Sequence, residues 1–319
     1  MARGPLLLPT LALLASLASD TGWAQVPKPA GTAAKAPATA KPRATAPAAP
    51  AQPIPAADTR PPDVRRGEYL VKAAGCVACH TAEGKDAVPF AGGRALKTPF
   101  GTFYGPNITP HPKAGIGAWT EADFVRAVRQ GVGPDGRHLY PAFPYPSFTR
   151  ITDGDLHDLW AYLRSLPPNA TPNRAHELKF PFQWRILLAP WKWLFFKPGA
   201  FVTDPKAGAQ VNRGAYLVNA LGHCGECHTE RNAFGAVKAD RFLAGAGTKE
   251  GAPNITPANL KWSDAELKEF FLTGMTPDFD SADATMSEVI QNTTSQLTPQ
   301  DLDSLMAYLR RIPALPNKK

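Results

Sequence analysis

The sequence predicts an all-α fold in which one small helical domain is built twice. Three observations carry that prediction. A five-residue phrase recurs, Cys76-Val77-Ala78-Cys79-His80 and Cys224-Gly225-Glu226-Cys227-His228. Each copy is followed by two helices with capped starts and apolar stripes at helical spacing. Almost no stretch alternates apolar and polar residues as a half-buried strand would. The 319 residues leave room for about two domains, each large enough to build its own core.

Cys-x-x-Cys-His is the attachment signature of c-type haem, and its spacing has a physical reason. Residues three apart share one face of a helical turn, so two thiols can each form a thioether to one porphyrin. The adjacent His then stands beneath the ring, where its imidazole ligates the iron. The residues therefore predict two covalently attached haems, held by Cys76, Cys79, Cys224 and Cys227, with His80 and His228 as proximal iron ligands. These are all four cysteines of the chain, so none is left for a disulfide. The competing readings are a zinc half-site, a thioredoxin-like redox pair and chance. Zinc would usually bring two further ligands at regular spacing, and a redox pair has no need of the following His.

Residues 1–24 read as a secretory signal peptide, with Arg3 as the positive start, Leu6 to Ala18 as the apolar run and Gly22-Trp23-Ala24 as the cleavage site. The alternative is a retained membrane anchor, for which the run is short of the roughly 18 residues a span needs. No Cys follows the run, which argues against a lipoprotein anchor. Residues 25–61 carry thirteen Ala and nine Pro and hardly any large apolar side chain. Such a segment is expected to be disordered, as a semi-rigid tether or a passive leader. Six Lys/Arg face two Asp/Glu in residues 1–61, which is half of the net +8. The remainder is nearly balanced, and this argues against a nucleic-acid binder.

The first domain is expected at 62–170 and the second at 209–319. Arg66-Gly67-Glu68-Tyr69-Leu70-Val71 leads into the first haem phrase and Arg213-Gly214-Ala215-Tyr216-Leu217-Val218 into the second, which carries one extra residue, His223. Pro106-Asn107-Ile108-Thr109-Pro110 is matched by Pro253-Asn254-Ile255-Thr256-Pro257. Two prolines in five residues predict an extended loop. Thr120 to Asp123 and Ser263 to Glu266 are capping-box starts of a helix ending at Gly131 or Gly274. The last helix opens at Thr152 or at Thr298-Pro299, its stripe being Leu156, Leu159, Trp160 and Leu163 or Leu302, Leu305, Met306 and Leu309.

In these phrases, and in Leu139-Tyr140-Pro141-Ala142 and Ala161-Tyr162-Leu163, the chain resembles the multihaem cytochrome c subunits of bacterial dehydrogenases. Those dehydrogenases are periplasmic or membrane-associated and oxidise alcohols, aldehydes and sugar acids. The resemblance covers about residues 62–315. It implies a tandem of cytochrome c-type domains, each wrapped round one haem, that relays electrons. The source would be a periplasmic dehydrogenase subunit and the acceptor a second cytochrome or an oxidase. Those subunits commonly carry three haems, whereas this chain has two attachment phrases. The implied location is the periplasm, with membrane association expected through partners.

Between the domains, the connector 171–208 contains the most apolar stretch after residue 24, Phe180 to Phe201, interrupted by Arg185, Pro190, Lys192 and Lys197. One reading is an ordered spacer whose aromatics pack across both domains. The other is a docking face for a dehydrogenase or the membrane interface.

Electron-carrying cytochromes usually add a sixth iron ligand, most often a Met thioether. Met306 lies on a core stripe and Met275 directly follows a helix stop, so Met286, in the loop between two helices, is the expected ligand of the second haem. The first half contains no Met. In the related subunits the ligand follows a Tyr-Pro-Ala phrase, and here Phe143 stands in that place. His138, His111 and a vacant or water-bound position are the alternatives, with His138 the nearest nitrogen donor; His157, His176 and His223 carry little weight. A vacant first haem opens a second reading, a haem-based redox enzyme acting on peroxide or a sulfur compound. That logic resembles dihaem peroxidases and thiosulfate-oxidising cytochromes, without their specific motifs. No flavin, quinone or nucleotide signature is present, so oxidation of an organic substrate would fall to another chain.

Overall fold

The computed structural model describes residues 60–248 and 251–317. The expected signal peptide and all but the last two residues of the expected linker lie outside the described residues. In the first half, α1 (Val64–Ala73) starts where the Asp63 carboxylate accepts from the Arg65 and Arg66 amides. After Gly75 in the left-handed region, α2 (Cys76–His80) carries the first haem phrase. Helix α3 (Glu121–Gln130) has the expected capping box, with Thr120 and Asp123 exchanging bonds, and stops at left-handed Gly131. A short α4 (Tyr145–Phe148) precedes α5 (Asp153–Ser165). The second half repeats this order with α7 (Ala209–Tyr216), α8 (Asp264–Thr273), α9 (Ala284–Asn292) and α10 (Pro299–Arg311). Between the halves, α6 spans Leu188–Phe195.

The first and last helices of each half cross with their backbones in contact. A Cβ on Gly67 would lie 2.1 Å from the Asp158 carbonyl oxygen, and one on Gly214 would lie 1.8 Å from that of Ser304. Only glycine allows that approach, which explains the Arg-Gly phrase at the head of both halves. The extra residue of the second half is absorbed within the helix. Residues Leu217–Leu221 widen into a π turn, closed by a 2.6 Å bond from the Gly222 amide to the Leu217 carbonyl. One inserted residue is what a π turn accommodates. His223 then takes the left-handed conformation, φ +40°, in the place held by Gly75 at φ +61°.

The expectation of an all-α fold needs one amendment: the body is mostly helical, but a small antiparallel sheet adjoins the first half. Strands β1 (Ala95–Thr98) and β2 (Gly101–Tyr104) form a hairpin, and β3 (Glu177–Leu178) from the connector adds to β2. Thr98 pairs with Gly101 across a two-residue turn, and Gly101 has φ +124°. Strands of four and two residues are too short to show an alternation in the sequence. Phe103 from β2 packs with Tyr140 and Leu188 in a small second core. The main core runs through both halves, joining Leu70, Leu156 and Leu163 to Leu217, Leu302 and Leu309. Met306 is buried within it.

Two matching polar locks join the halves. Arg66 pairs with Asp155 and Asp158 of its own half, and Arg213 pairs with Asp301 at 2.6 Å. The tyrosine of each lead-in phrase crosses over. Tyr216 donates to Asp155 and accepts from the Thr152 amide, while Tyr69 donates to Asp301 and accepts from the Thr298 amide. Burial alone would raise the Asp301 carboxyl, but the Arg213 and Tyr69 bonds outweigh it and hold it below the usual range. A depressed carboxylate stabilises the fold fully above its unfolded pKa of about 4, and that contribution is lost as pH falls through the lower folded value. Asp301→Ala strands a guanidinium and a tyrosine hydroxyl, at a cost of about 3 kcal/mol. Tyr69→Phe removes both bonds of the hydroxyl and should cost about 1–2 kcal/mol. Denaturant unfolding at neutral pH checks both, and equal midpoints for Asp301→Ala and wild type would show that the lock stabilises nothing.

The connector is ordered and touches both halves. The Tyr140 hydroxyl donates to the Phe182 carbonyl at 3.0 Å, and the Trp191 indole to the Phe234 carbonyl at 2.9 Å. Lys192 of α6 is buried, and its ammonium donates to the Gln130 and Gly131 carbonyls at the end of α3, each at 2.7 Å. Burial pushes that ammonium down to about 8.

Candidate haem sites

Each haem phrase sits against its own Pro-Asn-Ile-Thr-Pro loop. The His80 Nδ1 lies 2.7 Å from the Pro106 carbonyl oxygen, and the His228 Nδ1 lies 2.8 Å from that of Pro253. A carbonyl only accepts, so Nδ1 carries the proton in both rings and Nε2 keeps its lone pair. Burial holds both imidazoles below their ordinary pKa, which keeps them neutral. A neutral imidazole with one nitrogen held by a carbonyl and the other free is the arrangement an iron ligand requires.

The loop is built to aim that carbonyl. Asn107 is buried, and its side-chain oxygen accepts from the Thr109 amide and hydroxyl at 2.9 and 2.7 Å. Its amide nitrogen donates to the Asn169 and Thr171 carbonyls beyond α5. Asn254 does the same with Thr256 at 2.9 and 2.8 Å and with the Leu315 carbonyl beyond α10. The repeated Asn-Ile-Thr phrase thus ties the end of each half to the back of its proximal histidine.

The thiols fit a covalent haem better than the competing chemistries. All four cysteines are free. Burial pushes the Cys76 and Cys224 thiols up to about 12, with a smaller contribution from the neighbouring Cys79 or Cys227. A redox-active pair works with a depressed thiol pKa, the opposite direction from these thiols. Among the described residues, no group of three or more His, Cys, Asp or Glu side chains is placed to hold a metal ion. The zinc reading lacks its further ligands.

On the opposite side the halves diverge. The glycines ending α3 and α8 are both left-handed, and each carbonyl accepts from an amide eight residues on, Leu139 to Gly131 and Ala282 to Gly274. Counting from these closures, Phe143 and Met286 occupy matching positions. Met286 is half-buried against the main core, and Phe143 packs edge-on to Phe148 at 5.6 Å. Met275 is 47% exposed and pairs across a bridge with Ser281.

The remaining histidines are engaged elsewhere. His138 stands opposite Val132, the place of Ser281 in the second half, with Nδ1 3.0 Å from the Lys192 ammonium. An ammonium only donates, so Nδ1 accepts and the proton sits on Nε2; an iron would have to displace it. His111 Nδ1 accepts from the Lys113 and Ala114 amides. His176 Nδ1 accepts from the Tyr104 amide, and His157 meets Glu121 and the Arg60 carbonyl. His223 stacks on Phe148 with centroids 5.2 Å apart.

The attachment region of each half also lies against the other half, which the sequence did not reveal. A Cβ on Gly75, just before α2, would lie 2.9 Å from the Thr293 hydroxyl after α9. Arg94 of the first half pairs with Glu288 of α9 at 2.8 Å. Ser147 of α4 donates to Glu226 within the second haem phrase at 2.7 Å. Each half thus lays its distal segment on the attachment segment of the other.

Comparison with known proteins identifies the family of both halves. A family model described as Cytochrome c matches residues 64–167 and again 211–313. A diheme cytochrome c-type protein of Cereibacter sphaeroides is 44% identical over 259 residues, covering 79% of this chain and 87% of the relative. The fructose dehydrogenase cytochrome subunit of Gluconobacter japonicus is 40% identical over 265 residues, covering 81% of this chain and 54% of that subunit. The cytochrome c subunit of a quinone-dependent alcohol dehydrogenase of Gluconobacter oxydans is 36% identical over 274 residues, covering 80% of this chain and 56% of that subunit. The chain therefore spans about half the length of these two dehydrogenase subunits.

Proposed function

The chain belongs to the cytochrome c family and carries two covalently bound c-type haems, and on that premise we propose that it relays electrons in the periplasm from a partner dehydrogenase to a downstream cytochrome or oxidase. Haem iron supplies one-electron uptake and release. The chain holds the two groups in one compact unit, with Cys76 and Cys79 binding one and Cys224 and Cys227 the other. His80 and His228 would each offer Nε2 to a haem iron. Met286 would offer its thioether as the sixth ligand in the second half. The observation that carries this reading is the close packing of the two halves beside both attachment segments, where Arg94 pairs with Glu288 and Ser147 donates to Glu226. That placement suits transfer between the halves. The dehydrogenase partner follows from the relatives, several of which are dehydrogenase cytochrome subunits. Export follows from the expected signal at 1–24.

One observation favours a second reading. Phe143 fills the place matching Met286, and His138 is held by Lys192, so the first half offers no ready sixth ligand. That arrangement suits a small ligand binding at an open first haem. Electron paramagnetic resonance of the oxidised protein separates the two. The relay predicts two low-spin centres, with His138 turned away from Lys192. One high-spin centre that binds added cyanide or peroxide supports the catalytic reading instead.

A further inference from the structure

The connector helix is amphipathic the wrong way round. Residues 185–195 form one helical segment, a 3-10 turn Arg185–Leu187 running into α6. At about 100° per residue, Ile186, Leu187, Pro190, Trp193 and Leu194 fall on one face, with Leu188, Lys192 and Phe195 opposite. Water would place the lysine outside. Here Lys192 is buried and donates to the Gln130 and Gly131 carbonyls. The apolar residues point outward: Trp193 is 84% exposed, Ile186 76% and Leu194 59%. The chain entering the helix adds Phe180 and Trp184, 70% and 52% exposed. An exposed apolar face with no charged side chain on it is a contact surface awaiting its partner.

The charges identify the partner's chemistry. From Leu178 to Thr203 there is no Asp or Glu, while Lys179, Arg185, Lys192 and Lys197 are basic. Lys179 and Lys197 are exposed at the two ends of the apolar face. A protein interface takes about one hydrogen bond per 100–200 Å² to fix its register, and on this face only the Trp193 indole offers a donor. Tryptophan and leucine between flanking lysines are the signature of a helix lying in a lipid headgroup layer. The segment is roughly 16 Å long, about half the roughly 30 Å of a hydrocarbon core, so it lies in the surface and does not cross. Among the described residues no helix is long and apolar enough to cross a membrane.

We propose that the outward face of 185–195, with Trp184 and the flanking Lys179 and Lys197, seats the protein in the surface of an anionic lipid bilayer. This contact uses the face of the helix opposite Lys192, which meets His138, and it holds whichever dehydrogenase is the electron donor. The test uses the exported holoprotein with both haems, mixed with vesicles of phosphatidylcholine and phosphatidylglycerol and pelleted. Haem absorbance in the pellet reads binding. The wild type should pellet with phosphatidylglycerol vesicles at low salt, with a blue shift of its tryptophan emission. Ile186→Ser/Trp193→Ser should lower the partition coefficient about tenfold or more. Lys179→Gln/Lys197→Gln should weaken binding to phosphatidylglycerol vesicles and remove much of its salt dependence. Phe279→Ser, at an 88% exposed aromatic of the second half, should bind as the wild type does. All these sites are on the surface, and an unchanged haem spectrum confirms folding. A wild type that stays in the supernatant at every phosphatidylglycerol content overturns the proposal. So does an Ile186→Ser/Trp193→Ser variant that pellets normally. If that variant binds vesicles normally but is no longer reduced by its dehydrogenase, the face belongs to a protein. None of these outcomes bears on the haem count or on the relay, which the spectra read independently.

Discussion

A Cys76→Ser/Cys79→Ser variant should carry one covalent haem where the wild type carries two. The thioether needs a thiol, and a serine hydroxyl forms no such bond with the porphyrin. The double change leaves His80 and its Pro106 partner in place, so any haem still bound in the first half would be removed by denaturation. Haem staining on a denaturing gel should fall to about half per mole of protein, because the second attachment segment keeps both thiols. Cys224→Ser/Cys227→Ser should do the same for the other half. Two covalent haems in either double variant would show that the assignment of thiols is wrong. A single change such as Cys79→Ser tests a finer point. Cys76 still offers one thioether, so the haem should stay attached by one bond.

The repeat and the proximal side were legible because both are local. Cys-x-x-Cys-His places three functional atoms on one turn, and the capped helices after each copy announce their starts within four residues. The Pro-Asn-Ile-Thr-Pro loops were readable as extended segments. Their use, aiming a carbonyl at His80 or His228 while Asn107 or Asn254 ties down the end of the domain, depends on residues more than twenty positions away. The same limit hid the locks. Tyr69 and Tyr216 stand in the lead-in phrases, and Asp155 and Asp301 at the head of the last helices. Nothing local says that each tyrosine serves the other half's aspartate. The extra residue before Cys224 was visible, but its absorption by a π turn at Leu217–Leu221 was not. The sheet was missed because its longest strands have four residues. His138 shows the limit most directly. Its position on the loop recommended it as a ligand, while the Lys192 that occupies its Nδ1 comes from the connector, 54 residues along the chain.

Met286→Ala should lower the reduction potential of one haem on the order of 100 mV, since axial ligands set haem potentials over a range of roughly 0.8 V. A thioether favours the ferrous state, so its loss makes reduction harder. The variant should also lose any sulfur-to-iron band in the far red. Met275→Ala should keep both the band and the potential, because Met275 is 47% exposed and bridged to Ser281, away from the core that Met286 touches. The matching positions of Phe143 and Met286 make the complementary change informative. Phe143→Met places a thioether where the first half has a ring packed on Phe148, and the lower of the two potentials should move upward. In the wild type a redox titration should resolve two steps, the higher belonging to the second half, so that electrons delivered to the first half collect in the second. If Met286→Ala moves the lower step, or if Met275→Ala abolishes the band, the ligand has been misplaced and the direction of flow fails with it.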